Sequence, residues 1–434
     1  MKQLIVTAPA QLQASIPLPS SKSISNRALI IYALSASPYP VENLSDCDDT
    51  QVMIRALSEG KDPIDIQAAG TAMRFLTAYL SVTPGSRTLT GTSRMQQRPI
   101  QVLVDALREL GADIAYVGQE GFPPLRITGR TLTQENICLP GNVSSQYISA
   151  LLMIAPTLPQ GLTLTLSGTL ISRPYIDLTL QLMRDFGAEA YWLNEQQLKV
   201  EPKPYQPLPF SVESDWSAAS YWYQLTALAP EAEITLPGLF HQSYQGDSKG
   251  ADLFRSLGVE TVFETRAKEA TGASQSATVI LRKIPCTLKR MDYDFIDQPD
   301  LAQTFVVTCA LLDLPFRFTG LQSLKIKETD RIEALIKEMR KLGYVLHETD
   351  GRTLSWDGER CEPDWKAGID TYEDHRMAMA FAPASLRFPG LRINHPEVVS
   401  KSYPRYWDHL RQAGFLLEER TVNEPNQADK KKQP

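Results

Sequence analysis

A stretch with helical periodicity that ends in a basic residue, a hydrophobic residue and glycine recurs five times along the 434-residue chain. The copies are ALRELGADIAY at Gly111, LMRDFGAEAYW at Gly187, LFRSLGVETVF at Gly258, EMRKLGYVLHE at Gly343 and HLRQAGFLLEE at Gly414. A weaker sixth, MIRALSEGKDPIDI, carries Gly60. A cation in the last turn suits the negative end of a helix, and glycine just past the end takes the left-handed conformation before the chain turns into a strand. The glycines lie 51, 76, 71, 85 and 71 residues apart. Such a cap arises by chance in many α/β chains, but six copies covering the whole sequence argue for six related units.

A second series interleaves with the first. Each unit has an earlier helix that opens on small or polar residues: Ser21 to Arg27, Gly70 to Arg74, Ser144 to Gln146, Asp215 to Ser220, Asp300 to Thr304 and Asp374 to Arg376. Each unit then reads strand, helix, strand, helix and two strands, an α/β pattern. Six units suggest two similar halves of three, with a boundary near residues 213–215. The closing stretch TVNEPNQADKKKQP lacks periodicity and reads as a disordered tail.

What the ligands are is narrowed first by exclusion. A net charge of −6 disfavours non-specific nucleic-acid binding, so anions are bound only where Lys and Arg gather locally. The five cysteines are scattered, with no CxxC pair, and the five histidines show no ligand spacing. Neither a disulfide framework nor a zinc site is expected. No apolar run reaches the roughly 20 residues of a membrane helix. The start, MKQLIVTAPAQLQ, is broken by polar residues and Pro9 too early for a secretory signal, so a cytoplasmic enzyme is expected.

The chemistry sits at helix starts. PSSKSISNRALI places Lys22, Ser23 and Arg27 at the opening of an apolar helix, where free N–H groups, the dipole and two cations form an anion pocket. Read alone, the same residues are an N-cap with solvated cations. AAGTAMRFLTAYL sets Gly70 at a helix start with Arg74 one turn in, and glycine lets a ligand approach the backbone. RMQQRPIQVLVDAL gives Arg98 before Pro99, with Pro99 read as the first helical residue. GNVSSQYISALLM offers Ser144, Ser145 and Gln146 as donors to a phosphate, and ISRPYIDL adds Ser172 and the aromatic face of Tyr175. LKIKETDRIEALIKEM gathers Lys327, Glu328 and Arg331, able to hold an anion and handle a proton, or else an exposed helix end with local ion pairs. DHRMAMAF takes Asp374, His375 and Arg376 into an apolar helix, where charges need partners or a ligand. Lys401 precedes another Pro-started helix, and Asp300 in FIDQPDLAQTF is most simply a helix cap. Because cations or hydroxyl and amide donors recur at unit starts in both halves, the ligands should be small, multiply anionic and held between the halves.

Together PSSKSISNRALI, AGTAMRFLTA, RMQQRPI, GNVSSQYISALLMIAP, SRPYIDLTLQLM, IKETDRI, DHRMAMAF and SKSYPRYW resemble the 5-enolpyruvylshikimate-3-phosphate synthases, in order from about residue 3 to 415. The resemblance implies the two-domain enolpyruvyl transferase fold: six βαβαββ units in two pseudo-threefold halves joined by a two-strand hinge. The N-terminal strand would cross over, giving one domain from 1–19 plus 214–420, a second from 20–213, and a tail at 421–434. It implies transfer of the enolpyruvyl group of phosphoenolpyruvate to the 5-hydroxyl of shikimate 3-phosphate, without metal or cofactor, by a monomer. Shikimate 3-phosphate would be held by Lys22, Ser23, Arg27, Ser144, Ser145, Gln146, Ser172, Asp300, Ser323 and Lys327, with Tyr175 against its ring. Phosphoenolpyruvate would be held by Lys22, Gly70, Arg98, Gln146, Arg331, Arg376 and Lys401. Asp300 would accept the 5-hydroxyl proton, and Glu328, with Lys22 near, would relay a proton to and from the methylene carbon. Inhibition by glyphosate in competition with phosphoenolpyruvate is implied too.

Three positions depart from the family pattern. Ala68 stands where many members have Asn, Phe75 where Pro is common, and Ser323 where some have Asn. The related UDP-N-acetylglucosamine enolpyruvyl transferases use a loop cysteine, and none lies between Cys47 and Cys138. A non-catalytic anion-binding homologue is disfavoured by the presence of Asp300, Lys327 and Glu328.

Overall fold

The computed structural model describes residues 1–265 and 276–421. Of the expected tail, Thr421 ends a strand that pairs with Lys2, and 422–434 lie outside the described residues. All six glycines of the repeat hold a positive φ, from 60° at Gly60 to 107° at Gly111, each just beyond a helix end. A side chain there would be strained, so glycine is what lets each helix hand over to a strand.

Four sheets share one topology. Ile64–Asp65 runs parallel to Gly85–Thr90, which pairs antiparallel with Leu125–Gly129 and then Asp113–Tyr116. Asn136–Pro140, Leu162–Ser167, Gln197–Val200 and Ala190–Asn194 repeat this order. So do Met291–Asp294, Phe316–Thr319, Thr353–Trp356 and His347–Thr349. In the fourth sheet Ala232–Phe240, Ser276–Lys283 and Val259–Thr265 take their parallel neighbour from the N-terminus, Leu12–Ser15.

The first and last units are not self-contained, and the N-terminal strand joins the last, the crossover that the resemblance implies. The last has Leu391–Asn394 and Leu416–Thr421 flanking the N-terminal strand Lys2–Thr7. The first has only Val41–Glu42 beside Phe210–Ser211 from the far end of its half. A two-residue strand exposes most of its backbone polar groups, so these units complete their pairing with distant chain.

Two hydrophobic cores result. One gathers side chains from Ile24 to Val212; the other joins Leu4 to Leu18 with Trp216 to Phe415. The chain passes between them twice, side by side. Ser20 bridges Ser214 antiparallel, Ser21 N–H donates to Glu213 at 2.8 Å, and Asp215 N–H donates to Pro19 at 2.9 Å. The earlier helix of each unit is buried on nearly all sides, as in Ser145–Ile154, Trp216–Leu228, Ala302–Leu311 and His375–Phe381. Such helices have no polar face to offer water and form the centre of each half. Their N-termini converge on one cleft. No described helix is long and apolar enough to cross a membrane.

Candidate active site

The cleft encloses a cavity of about 660 Å³ whose walls come from both halves. Lys22, Ser23 and Arg27 enter from the helix Lys22–Ser35, which Ser21 caps through Ile24 N–H. Gly70 begins the helix Gly70–Val82, and Ser144 caps Ser145–Ile154 through Gln146 N–H. Arg98, Gln146, Ser172, Tyr175, Ser323, Lys327, Glu328, Arg331 and Arg376 also line the cavity, as do Asp300, Ser144 and Ser145. Lys401 lines an adjoining cavity of about 980 Å³ that shares Arg98, Lys327 and Glu328 with the first. The two cavities thus bring together every residue to which the resemblance gives a ligand or proton role.

Three local readings are corrected. Asp300 does not cap a helix: the helix Ala302–Leu311 has Leu301 at its cap position and no side-chain cap bond. Pro99 is not the first helical residue, because the helix is Gln101–Glu109 with Ile100 at its cap. Likewise the helix after Lys401 is Tyr406–Gln412, two residues past Pro404. In each case tertiary partners set the boundary, not the local start signal.

Asp300 is a hub. Its Oδ1 lies 3.2 Å from Arg331 and 3.4 Å from Lys327, while Oδ2 takes Arg376 at 2.9 Å and the Tyr175 hydroxyl at 3.1 Å. Burial alone would raise its carboxyl, but Arg376, Lys327 and Arg331 hold it well below the usual carboxylate range. Glu328 repeats the logic. Burial opposes its charge, yet Lys401 at 3.1 Å and Arg331 at 2.9 Å, helped by Arg98, keep it well below its ordinary value. Arg331 is 1% exposed and stands between the two carboxylates, oriented by a bond of 2.7 Å to Asp374. Asp374 also caps His375–Phe381 through Arg376 N–H, so one carboxylate fixes two arginines.

Opposite, burial opposes charge on Lys22, but Asp49, Cys47 and Glu328 hold its ammonium above the usual range; Asp49 lies at 3.6 Å. Burial lowers Arg98 and neighbouring Arg74 lowers it further, while Glu328 and Asp49 oppose that shift. Burial pushes Arg27 down to about 10, and its N–H groups go to Thr179, Ser23, Ser149 and Tyr175. Burial and the Lys22 charge hold His375 well below its ordinary value, so its ring is neutral at pH 7. A cage this rich in cations is built for ligands with more negative charge than Asp49, Asp300, Glu328 and Asp374 supply.

Sequence reasoning missed Asp49 beside Lys22, Arg94 in the second cavity and Tyr221 in the first. Asp49 reads locally as an acidic first-turn residue, and its pairing with Lys22 spans two helices. Asp374 and His375 carried a signal, charge entering an apolar helix. Of the departures, Phe75 is buried with its ring 5.3 Å from the Arg27 guanidinium carbon, Ser323 lines the main cavity, and Ala68 lines the second. Among the described residues no group of three or more His, Cys, Asp or Glu is placed to hold a metal ion.

Comparison with known proteins follows the same outline. The sequence model of the family EPSP synthase (3-phosphoshikimate 1-carboxyvinyltransferase) matches residues 6–61 and 54–410. A 3-phosphoshikimate 1-carboxyvinyltransferase of Bacteroides fragilis is 66% identical over 411 residues, covering 95% of this chain and 98% of the relative. One from Shewanella halifaxensis is 35% identical, covering 94% of this chain and 99% of the relative. A solved EPSP synthase of Acinetobacter baumannii superposes with a TM-score of 0.76 at 20% identity, over 97% of this chain and all of that one, a likeness of fold. The six-unit architecture, the cleft between two cores and these matches agree: the chain belongs to the EPSP synthase (3-phosphoshikimate 1-carboxyvinyltransferase) family.

Proposed function

We propose a division of labour in this cleft for the family's reaction, which moves the enolpyruvyl group of phosphoenolpyruvate to the 5-hydroxyl of shikimate 3-phosphate and releases phosphate. The observation that carries it is the placement of Asp300 and Glu328 on either side of one buried arginine, inside a cage of cations drawn from both halves. Ser23, Arg27, Ser144, Ser145, Ser172, Ser323 and Lys327 hold shikimate 3-phosphate against Tyr175. Arg98, Arg331, Arg376 and Lys401, with Gly70, hold phosphoenolpyruvate; Lys22 and Gln146 lie between. The regions 1–19 plus 214–420 and 20–213 act as two domains that close on the ligands.

Asp300 takes the proton of the 5-hydroxyl as its oxygen attacks C2 of phosphoenolpyruvate, and Glu328 delivers a proton to C3. The tetrahedral intermediate then loses phosphate as C3 gives its proton back, restoring the double bond. The protein's own cations hold both carboxylates below their ordinary values. Two polyanions entering the cage compete for the same cations and repel both carboxylates, which raises their proton affinity when it is needed. The cage also removes the repulsion between the substrates and fixes their orientation.

Gly70 has a second use. A Cβ there would lie 2.7 Å from Arg98 Nη1 and 2.6 Å from Arg74 Nη1, so a methyl meets guanidinium groups and not open space. Gly70→Ala should therefore displace Arg98 and raise KM for phosphoenolpyruvate by about 5- to 150-fold, the usual cost of one overpacked methyl. Binding of shikimate 3-phosphate should hold. Steady-state kinetics with each substrate varied checks this; an unchanged KM would place Arg98 outside the phosphoenolpyruvate site.

The reaction is tested by following inorganic phosphate. Release should require shikimate 3-phosphate and phosphoenolpyruvate together and persist in chelator. UDP-N-acetylglucosamine as the only productive acceptor would overturn the reading.

A further inference from the structure

The second cavity opens beside the first, and its rim carries contacts between the two halves that none of the roles above uses. Ser400 donates to Asp48 at 2.6 Å. Arg94 reaches across to the Glu373 carboxylate and to the backbone carbonyl of Glu328. With side chains 51% and 71% exposed, the Arg94–Glu373 pair is a weak brace by itself. The bond to the Glu328 carbonyl is another matter, because Glu328 lies in the short stretch between the turn Gln322–Ile326 and the helix Arg331–Lys341. A charge-assisted bond to that main chain fixes where the carboxylate sits.

The opposite side of this contact is built, not incidental. Tyr372 and Glu373 both hold a positive φ, 53° and 57°, which non-glycine residues adopt only under constraint. The Tyr372 hydroxyl is anchored on Glu338 at 2.6 Å. This turn sends two successive carboxylates opposite ways: Glu373 out to Arg94, Asp374 inward to Arg331. Arg331 grips the Glu328 carboxylate while Arg94 grips the Glu328 carbonyl, so a ring of contacts closes around Glu328. Every member but Arg94 belongs to the same half.

We propose that Arg94 is a positioning residue for Glu328, seating it for proton relay only when the two halves meet. The inference rests on the role given to Glu328 above. It makes the proton step conditional on closure, since an open cleft leaves the ring one member short and the Glu328 main chain without its bond to Arg94. A displacement on the order of 1 Å at a reacting group can cost about 10²-fold in rate.

The test measures kcat, both KM values, equilibrium binding of shikimate 3-phosphate and the thermal midpoint for Arg94→Ala, Arg94→Lys and Glu373→Gln beside wild type. Arg94→Ala should lower kcat by about 10- to 100-fold with acceptor binding and thermal midpoint unchanged. Arg94→Lys, able to make one bond but not the fork, should recover part of the loss. Glu373→Gln should lose least, because the carbonyl bond survives. Wild-type turnover in Arg94→Ala overturns the proposal while leaving the function intact. A parallel fall of kcat, acceptor affinity and thermal midpoint also overturns it, marking Arg94 as a plain brace. Wild type that releases no phosphate from the two substrates instead defeats the function itself.

Discussion

Replacing Asp300 by Ala should cut turnover by roughly 10²–10⁴-fold, the usual worth of a positioned general base, while shikimate 3-phosphate still binds. The asymmetry follows from the contacts. The Asp300 carboxylate neutralises part of the charge of Lys327, Arg331 and Arg376, so its removal leaves the cage more positive toward an anion. Affinity is kept and proton transfer is lost. Because the adjacent helix has no cap bond from Asp300, the substitution removes no cap. Near-normal kcat in Asp300→Ala, measured by phosphate release at saturation, would leave this residue only a counter-ion.

Arg331 carries the second large effect, and it touches stability as well as rate. Its guanidinium is 1% exposed and satisfies Asp374, Glu328 and Asp300. Arg331→Gln strands charge in the interior, which costs about 3–5 kcal/mol when one partner of a buried pair is removed. Turnover of the folded fraction should fall by more than about 10³-fold, since a phosphoenolpyruvate ligand and the alignment of both carboxylates go together. The pH dependence has a definite sign. Asp300 and Glu328 have depressed values in the folded wild type, so they add stability above the unfolded carboxylate range, lost as pH falls through the folded values. Without Arg331 both are less depressed. The stability gap between wild type and variant should therefore be widest above about pH 5 and narrow on acidification. Denaturant melts across that range check it; a gap that widens toward acid would contradict the charge assignment.

What was legible in the sequence was local. The glycine past a helix end is a property of a few residues, and it marked six units before any pairing was known. Cations at helix starts were visible for the same reason. What the sequence hid depends on partners far along the chain. The first unit borrows its strand from the far end of its region, and nothing in VE or FS announces a strand. Asp300 looked like a cap because the capping rule reads three neighbours, while its partners lie 125, 27, 31 and 76 residues away, at Tyr175, Lys327, Arg331 and Arg376. Arg94 was hidden more deeply still, since its carboxylate partner is 279 residues distant.

In the proposed mechanism one cleft, built by both halves, sets the acceptor's 5-hydroxyl against Asp300 with phosphoenolpyruvate beside it. A crystal structure of the Asp300→Ala variant soaked with both substrates tests this most directly. It should show the 3-phosphate of the acceptor on Ser144, Ser145 and Lys327, the enolpyruvyl carboxylate and phosphate on Arg98, Arg331, Arg376 and Lys401, and the 5-hydroxyl facing the place Asp300 vacated. An acceptor whose 5-hydroxyl points away from that place, or a phosphoenolpyruvate bound outside the cation cage, would contradict the account.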